Sequence, residues 1–200
     1  MAADFEEVLE FWFGTNQDDG AVCEEKSPLW WAKNENIDQA IAGRFGPLVR
    51  SAAERELSAW TSTPRGRLAL IILLDQFTRN IYRDTPQAFA QDSYARRLCL
   101  EGVEIGDDQK LKLIERVFFY LPLEHAESLE LQEKCLGHFE ELLRSSPPSS
   151  REEFSSFLDF ATRHRDVIAK FGRFPHRNVI LDRTSTREEV EFLRRPGSSF

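Results

Sequence analysis

The chain has 200 residues, of which 41% are hydrophobic and 30% charged, and a net charge of −8. That is the balance of a soluble globular chain with one sizeable core, and it excludes a disordered one. The acidic balance argues against general binding to nucleic acid or to an anionic membrane surface.

The start, Asp4-Phe5-Glu6-Glu7, is acidic and lacks the basic-then-apolar pattern of a signal peptide. Strand alternation is nearly absent, whereas helix signals recur, so the expectation is an all-α fold. The predicted helices are 3–13, 34–58, 64–82, 86–102, 108–119, 122–144, 151–171 and 186–194. Gly14–Lys33 reads as a loop rich in aromatic residues, with Trp12, Trp30, Trp31 and Trp60 as packing side chains. Gly43, Gly46 and Pro47 are expected to break the second helix. Thr63-Pro64 and Thr85-Pro86 place a threonine at the N-cap and a proline in the first turn. The longest apolar run, Leu68–Leu74, has seven residues, far too few to span a bilayer. Pro122 suits the first turn of a new helix. Ser150 with Glu153, and Ser185 with Glu188, read as capping boxes. Ser145–Ser150 is a low-complexity link that could be flexible, but the remainder is too short for an independent core, so one domain over 1–200 is expected. Short connections favour antiparallel helical hairpins in a compact array.

Cys23, Cys99 and Cys135 are odd in number and widely spaced, which argues against a disulfide framework or a zinc site and fits a cytoplasmic setting. Charge is uneven: residues 1–60 carry 5 basic and 12 acidic groups, 61–100 carry 6 and 3, 101–144 carry 5 and 11, and 145–200 carry 10 and 8. Two basic blocks thus sit in an acidic chain. They form either a local anion site or two solvated helix faces.

Three segments could carry chemistry. In Asp75-Gln76-Phe77-Thr78-Arg79-Asn80-Ile81-Tyr82-Arg83, helical spacing puts Gln76, Asn80 and Arg83 on one face and Asp75 four residues before Arg79. Such a cluster at the end of a buried helix needs partners, from the protein or from a ligand. In Phe118–Glu127, Glu124, His125 and Glu127 fall in the first turn of the expected new helix. A histidine among carboxylates suits general base chemistry or, less well without HExxH or a second histidine, a metal. Gln132 would share a face with His125. In Phe171–Asn178, the loop residues Arg173, His176, Arg177 and Asn178 alternate with phenylalanines, near His164, and suit recognition of carboxylate or phosphate. No GxGxxG, P-loop or GxSxG motif occurs, so the cofactor is left unknown.

Taken together, VLEFWFG (8–14), RFGPL (44–48), RGRLALIILLDQFTRNIYR (65–83), TPQAFA (85–90), FFYLPLEHAE (118–127), FGRFPHRN (171–178) and PGSSF (196–200) resemble the family known as domain of unknown function 924. The resemblance runs over essentially the whole chain and implies an all-helical, tetratricopeptide-like fold and a single site shared by the three polar segments, but no activity. The chain departs from the family pattern at Thr78, Asp84 and Asp182, where proline, glycine and glycine are usual, and at Ala126, where serine is common. The Thr78 change implies a straightened helix. A clean 34-residue repeat is not visible.

Three functions follow as expectations. The first is a pocket for a small anionic molecule, with Glu124, His125 and His176 for acid/base chemistry such as hydrolysis. Asp75, Gln76, Arg79, Asn80, Arg83, Arg173, Arg177 and Asn178 would bind the ligand. The second is a tetratricopeptide-like module that binds the acidic or carboxylate end of a protein partner. The third is a buried ionic network that serves the fold alone.

Overall fold

A computed structural model describes residues 4–198. Among these residues the secondary structure is helical, with no strand. The helices are α1 (Phe5–Phe13), α2 (Asp19–Trp31), α3 (Glu35–Ala53), α4 (Pro64–Ile71), α5 (Thr78–Ile81), α6 (Asp92–Glu104), α7 (Leu113–Glu124), α8 (Leu129–Ser145), α9 (Arg151–Phe171) and α10 (Arg187–Leu193). Ala3, where the first helix was expected to begin, and Ser199-Phe200 of the last motif lie outside the described residues.

Two buried rods organise the packing. The first is α4 with its extension through Ile72–Phe77 into α5, buried from Gly66 to Thr78. Its Leu68–Leu74 stretch is apolar around the whole circumference, and the rod is enclosed by α1, α3, α6 and α7. The second is α7, buried from Ile114 to Glu124, against which α2, α6, α8 and α9 pack. Trp12, Phe13, Trp30 and Phe118 meet edge-to-face between the rods and α2, and the Trp30 indole donates to the Trp12 carbonyl at 2.9 Å. Trp31 stays half exposed but stacks on Phe118. At Gly102 an added Cβ would lie 2.5 Å from the Phe119 ring and 2.6 Å from Arg67, so a side chain there would hold α6 away from both rods.

Several expectations need correction. Gly14–Lys33 is not a loop, because α2 fills most of it, capped by Asp18 on the Ala21 N–H at 2.9 Å. Its buried residues, Val22, Cys23 and Trp30, lack a regular spacing, and Gly20 and Pro28 hide the helix. Conversely, α3 passes unbroken through Gly43, Gly46 and Pro47. The Gly43 carbonyl that Pro47 leaves without a helical partner is on an exposed residue, so losing that bond strands no buried acceptor. Pro122 lies in the last turn of α7, so the next helix starts later, at Leu129. The last capping box is formed by Thr186 and Glu189, one residue beyond the expected pair, and Ser150 makes no capping bond. The 145–150 link forms a 3-10 turn at Pro148–Ser150.

Two of the positions at which the family resemblance led to an expectation of glycine hold an aspartate in the left-handed region: Asp84 at φ 59° and Asp182 at φ 52°. Aspartate tolerates that conformation better than most residues, but at a cost glycine does not bear. Asp182 is exposed and makes no ion pair. Asp182→Gly is therefore expected to raise stability by about 0.5–1 kcal/mol, read as a higher midpoint in urea denaturation with an unchanged slope.

Candidate functional site

Backbone geometry comes first. Ile72–Phe77 is a π-helical turn inside the first rod. The wider ladder re-aims its side chains, and such turns often mark functional positions. It leaves the Leu74 carbonyl for the Thr78 hydroxyl, which donates to it at 2.8 Å. Thr78 continues the rod directly after this turn, its hydroxyl bonded to the i−4 carbonyl as helical threonines commonly are. Asp75, within this turn, is fully buried.

His125 caps the C-terminal end of α7. Glu124 and His125 therefore stand at the carbonyl end of a helix, not in the first turn of a new one. Gln132, on α8, does not share a face with His125. Its amide nitrogen instead donates to the carbonyls of Glu124 at 2.5 Å and Ala126 at 2.8 Å, closing the end that Pro122 precedes.

Between these two ends lies an ionic cluster. His125 Nδ1 sits 2.9 and 3.0 Å from the two Asp75 oxygens. Gln76 donates to Asp75 Oδ2 at 2.6 Å. Arg79 pairs with Asp75 at 3.2 Å and holds Asp92, at the start of α6, through bonds of 2.9 and 3.1 Å. Arg177 reaches in from the 3-10 turn Pro175–Arg177, donating to the His125 carbonyl at 3.1 Å and lying 3.5 Å from Asp92. Its guanidinium is sandwiched between Phe89 at 4.7 Å and Phe174 at 4.5 Å. Its Nε is buried and has no hydrogen-bond partner. On α9, His164 Nδ1 donates to the Phe160 carbonyl at 2.9 Å and lies 3.1 Å from Glu124.

The electrostatics follow from burial and neighbours. Arg79 and His125 hold Asp75 well below the ordinary carboxylate range, against its burial. Burial first, then the Arg79 charge, lowers His125 in spite of Asp75. At neutral pH the pair is therefore an aspartate and a neutral imidazole whose Nδ1–H faces the carboxylate. Burial, reinforced by the Asp75 charge, pushes Glu124 up to about 8. Burial lowers His164 to about 3 and His176 to about 4, aided by neighbouring cationic groups. Arg177 falls to about 10 through burial and Arg79.

Not all predicted residues converge. Asp75, Gln76, Arg79, Glu124, His125 and Arg177 form one cluster, with His176 on the same turn as Arg177. Asn80 and Arg83 turn away to Asp38 on α3, at 2.8 Å and 2.7 Å. Arg173 and Asn178 bind Glu189 of α10, at 2.6 Å and 3.3 Å. Arg79 and Arg177 both face Asp92 and Arg83 faces Asp38, so these arginines of the two basic blocks are paired with acids. Asp92, Phe89 and the Glu124–His164 contact went unread in the sequence. The one hint for Asp92 was that the 61–100 block holds only three acids for six bases. Among the described residues no group of three or more His, Cys, Asp and Glu side chains is placed to hold a metal ion.

The profile of the family described as "Bacterial protein of unknown function (DUF924)" matches residues 8–197. The chain belongs to this family. It is also similar to a solved structure, that of the protein of unknown function ATU0120 from Agrobacterium tumefaciens. The two share 35% identity and a TM-score of 0.79, over 95% of this chain and 96% of the other. No curated protein matches.

The cluster predicts a pH profile for stability. A carboxyl raised to about 8 keeps its proton in the folded state between its ordinary pKa and 8, while the unfolded state has lost it. Stability therefore falls as pH rises through that window. Histidines lowered to about 3 and 4 act the other way, because the unfolded state takes up their protons first as pH falls below about 6.5. Stability should peak near pH 6.5, and Glu124→Gln should abolish a loss of about 2 kcal/mol between pH 6.5 and 8, measured by urea denaturation at each pH.

Proposed function

We propose that this chain is an acid/base enzyme acting on a small molecule with an anionic group, with His125 as general base and Asp75 as the residue that orients it. One observation carries the reading. His125 Nδ1 is committed to both oxygens of a buried aspartate, while Nε2 makes no hydrogen bond among the described residues and the side chain keeps 15% exposure. A scaffold needs the first of these contacts but not an imidazole nitrogen left open to solvent. The tautomer that Asp75 selects puts a lone pair on Nε2, the arrangement a general base requires.

The anionic group would meet Arg177. Its ring-covered faces leave only its edge for ligands, and Nε on that edge lacks a partner. Planar guanidinium edges match carboxylate and phosphate oxygens. Gln76 fixes Asp75 from the other side. Glu124 is buried behind the histidines and acts through them as a positioning residue, and His176 flanks Arg177. Arg79 locks the Asp75–Asp92 frame. Asn80, Arg83, Arg173 and Asn178 steady the helices around it.

Charge counting adds a linkage. Asp75 and Asp92 balance Arg79 and Arg177 when His125 is neutral. A bound anion leaves one negative charge in excess, which a proton on His125 cancels. Anion affinity should therefore rise as pH falls.

The test is a turnover screen with chromogenic acetate and phosphate esters, paired with thermal shift against inorganic phosphate and citrate at pH 6 and pH 8. His125→Gln and Asp75→Asn are expected to cut turnover by about 10²–10⁴-fold. Arg177→Met should abolish the anion-dependent shift, which should be larger at pH 6 in the wild type. Turnover and shifts that are absent in the wild type, or unchanged in folded His125→Gln and Arg177→Met, would assign the cluster to the fold alone.

A further inference from the structure

Among the described residues Arg67, Arg116 and Arg177 are each more than nine-tenths buried. Arg67 is hydrogen-bonded to Asp107 at 3.0 Å, and Arg177 lies 3.5 Å from Asp92. Arg116, on α7, has no carboxylate in ion-pair range among the described residues. A buried guanidinium is normally paired, because a neutral partner does not offset the loss of water around its charge.

Arg116 stands where α8 and the 3-10 turn Asp108–Lys110 pack on α7. Its Nε donates to the Tyr120 hydroxyl at 3.2 Å, which in turn donates to Asp108 Oδ2 at 2.6 Å. Gln109 donates to the same oxygen at 2.7 Å. Asp108 is buried, and its Oδ1 has no hydrogen-bond partner. An arginine that served only the fold would take that oxygen. Instead the phenol stands between acid and base. The two terminal nitrogens of Arg116 make no hydrogen bond among the described residues, and neither is enclosed, so this end of the guanidinium meets solvent.

His138 of α8 adjoins the same phenol. Its ring stacks on Tyr120 with centroids 4.2 Å apart and planes 12° apart, while Arg116 Cζ lies 5.9 Å from the Tyr120 centroid. The imidazole is half-buried and makes no hydrogen bond among the described residues. Burial lowers its pKa, with the Asp108 charge acting against this and the Arg116 charge with it. At neutral pH it is therefore neutral and holds one N–H to donate.

We infer that Arg116 and His138 bind a small oxyanion, a carboxylate or phosphate group, beside Tyr120. The terminal N–H groups of a guanidinium are coplanar and match two oxygens of such a group, and the imidazole N–H supplies a third donor. Asp108 is held behind the phenol, and the neighbouring Asp107 is paired with Arg67 and Lys110 at 3.0 and 3.1 Å. The unpaired cation of this junction is thus Arg116. The assignment does not depend on the His125 cluster being catalytic.

The test is an NMR titration of the full chain, read at the His138 ring and the Arg116 Nε–H, with sodium acetate and with sodium phosphate at constant pH. Sodium chloride at matched ionic strength is the control. At least one oxyanion should give a saturable shift at both residues, and chloride should give none. His138→Phe, which keeps a ring on Tyr120, should weaken binding read at Arg116 by about tenfold. Arg116→Met should abolish the shift at His138. His125→Gln should leave binding unchanged, which separates this site from the proposed catalytic one. Absence of a saturable shift with both oxyanions at millimolar concentration, an equal response to chloride, or unchanged affinity in His138→Phe would overturn the assignment, whether or not Arg116→Met folds.

Discussion

An ionised carboxylate with no solvent exposure must be compensated on the spot, and Asp75 is such a group. Its partners come from different parts of the chain: Gln76 and Arg79 from its own helix and His125 from the end of α7. Arg79 then binds Asp92 at the start of α6, and Arg177 closes the ring through Asp92 and the His125 carbonyl. Removing one member would strand the others, at about 3–5 kcal/mol for a buried ion pair. One aspartate thereby fixes the relative placement of both rods, α6 and the segment after α9.

The uneven charge along the sequence has a related meaning. Arginines of the 61–100 block pair with acids of both flanking blocks: Arg65 with Glu6 and Glu115, Arg67 with Asp107, and Arg83 with Asp38. Arg183 of the last block pairs with Glu127. The exposed bridges contribute little to stability. Arg67 and Asp107 are both buried and hydrogen-bonded at 3.0 Å. The blocks therefore interlock across the fold, and a net charge per segment says little about the field at any one place.

Where periodicity was strong, the sequence was legible. The apolar Leu68–Leu74 run identified a buried helix, and Thr63-Pro64 gave its start, with the threonine hydroxyl on the Gly66 N–H at 3.1 Å. The chemistry of Asp75, Arg79, His125 and Arg177 could be named, because dense polar groups inside apolar segments require partners. Their pairing could not be read, since Asp75 meets His125 fifty positions away through a tertiary contact. Proline misled twice, inside α3 and in α7, because its local rule gives way where the carbonyl it leaves unpaired is on an exposed residue, as at Gly43, or where the helix is already in its last turn, as at Pro122. The π turn has no residue signature of its own, so the direction in which Asp75 points was out of reach.

A buried helix satisfies its own backbone along its length and leaves orphan groups only at its ends. At the N-terminal end of α7, Glu115 caps the Lys112 N–H. At the other end Gln132 and Arg177 take the last carbonyls. The His125 cluster lies at this second end, and most of its polar groups are accounted for by capping and charge compensation. Among the described residues, the groups that such needs do not account for at that end are His125 Nε2 and the buried Arg177 Nε and Gln132 Oε1. Polar density in a core is a structural requirement first. Donors, acceptors and charges left over after that requirement is met are the part that points to a ligand.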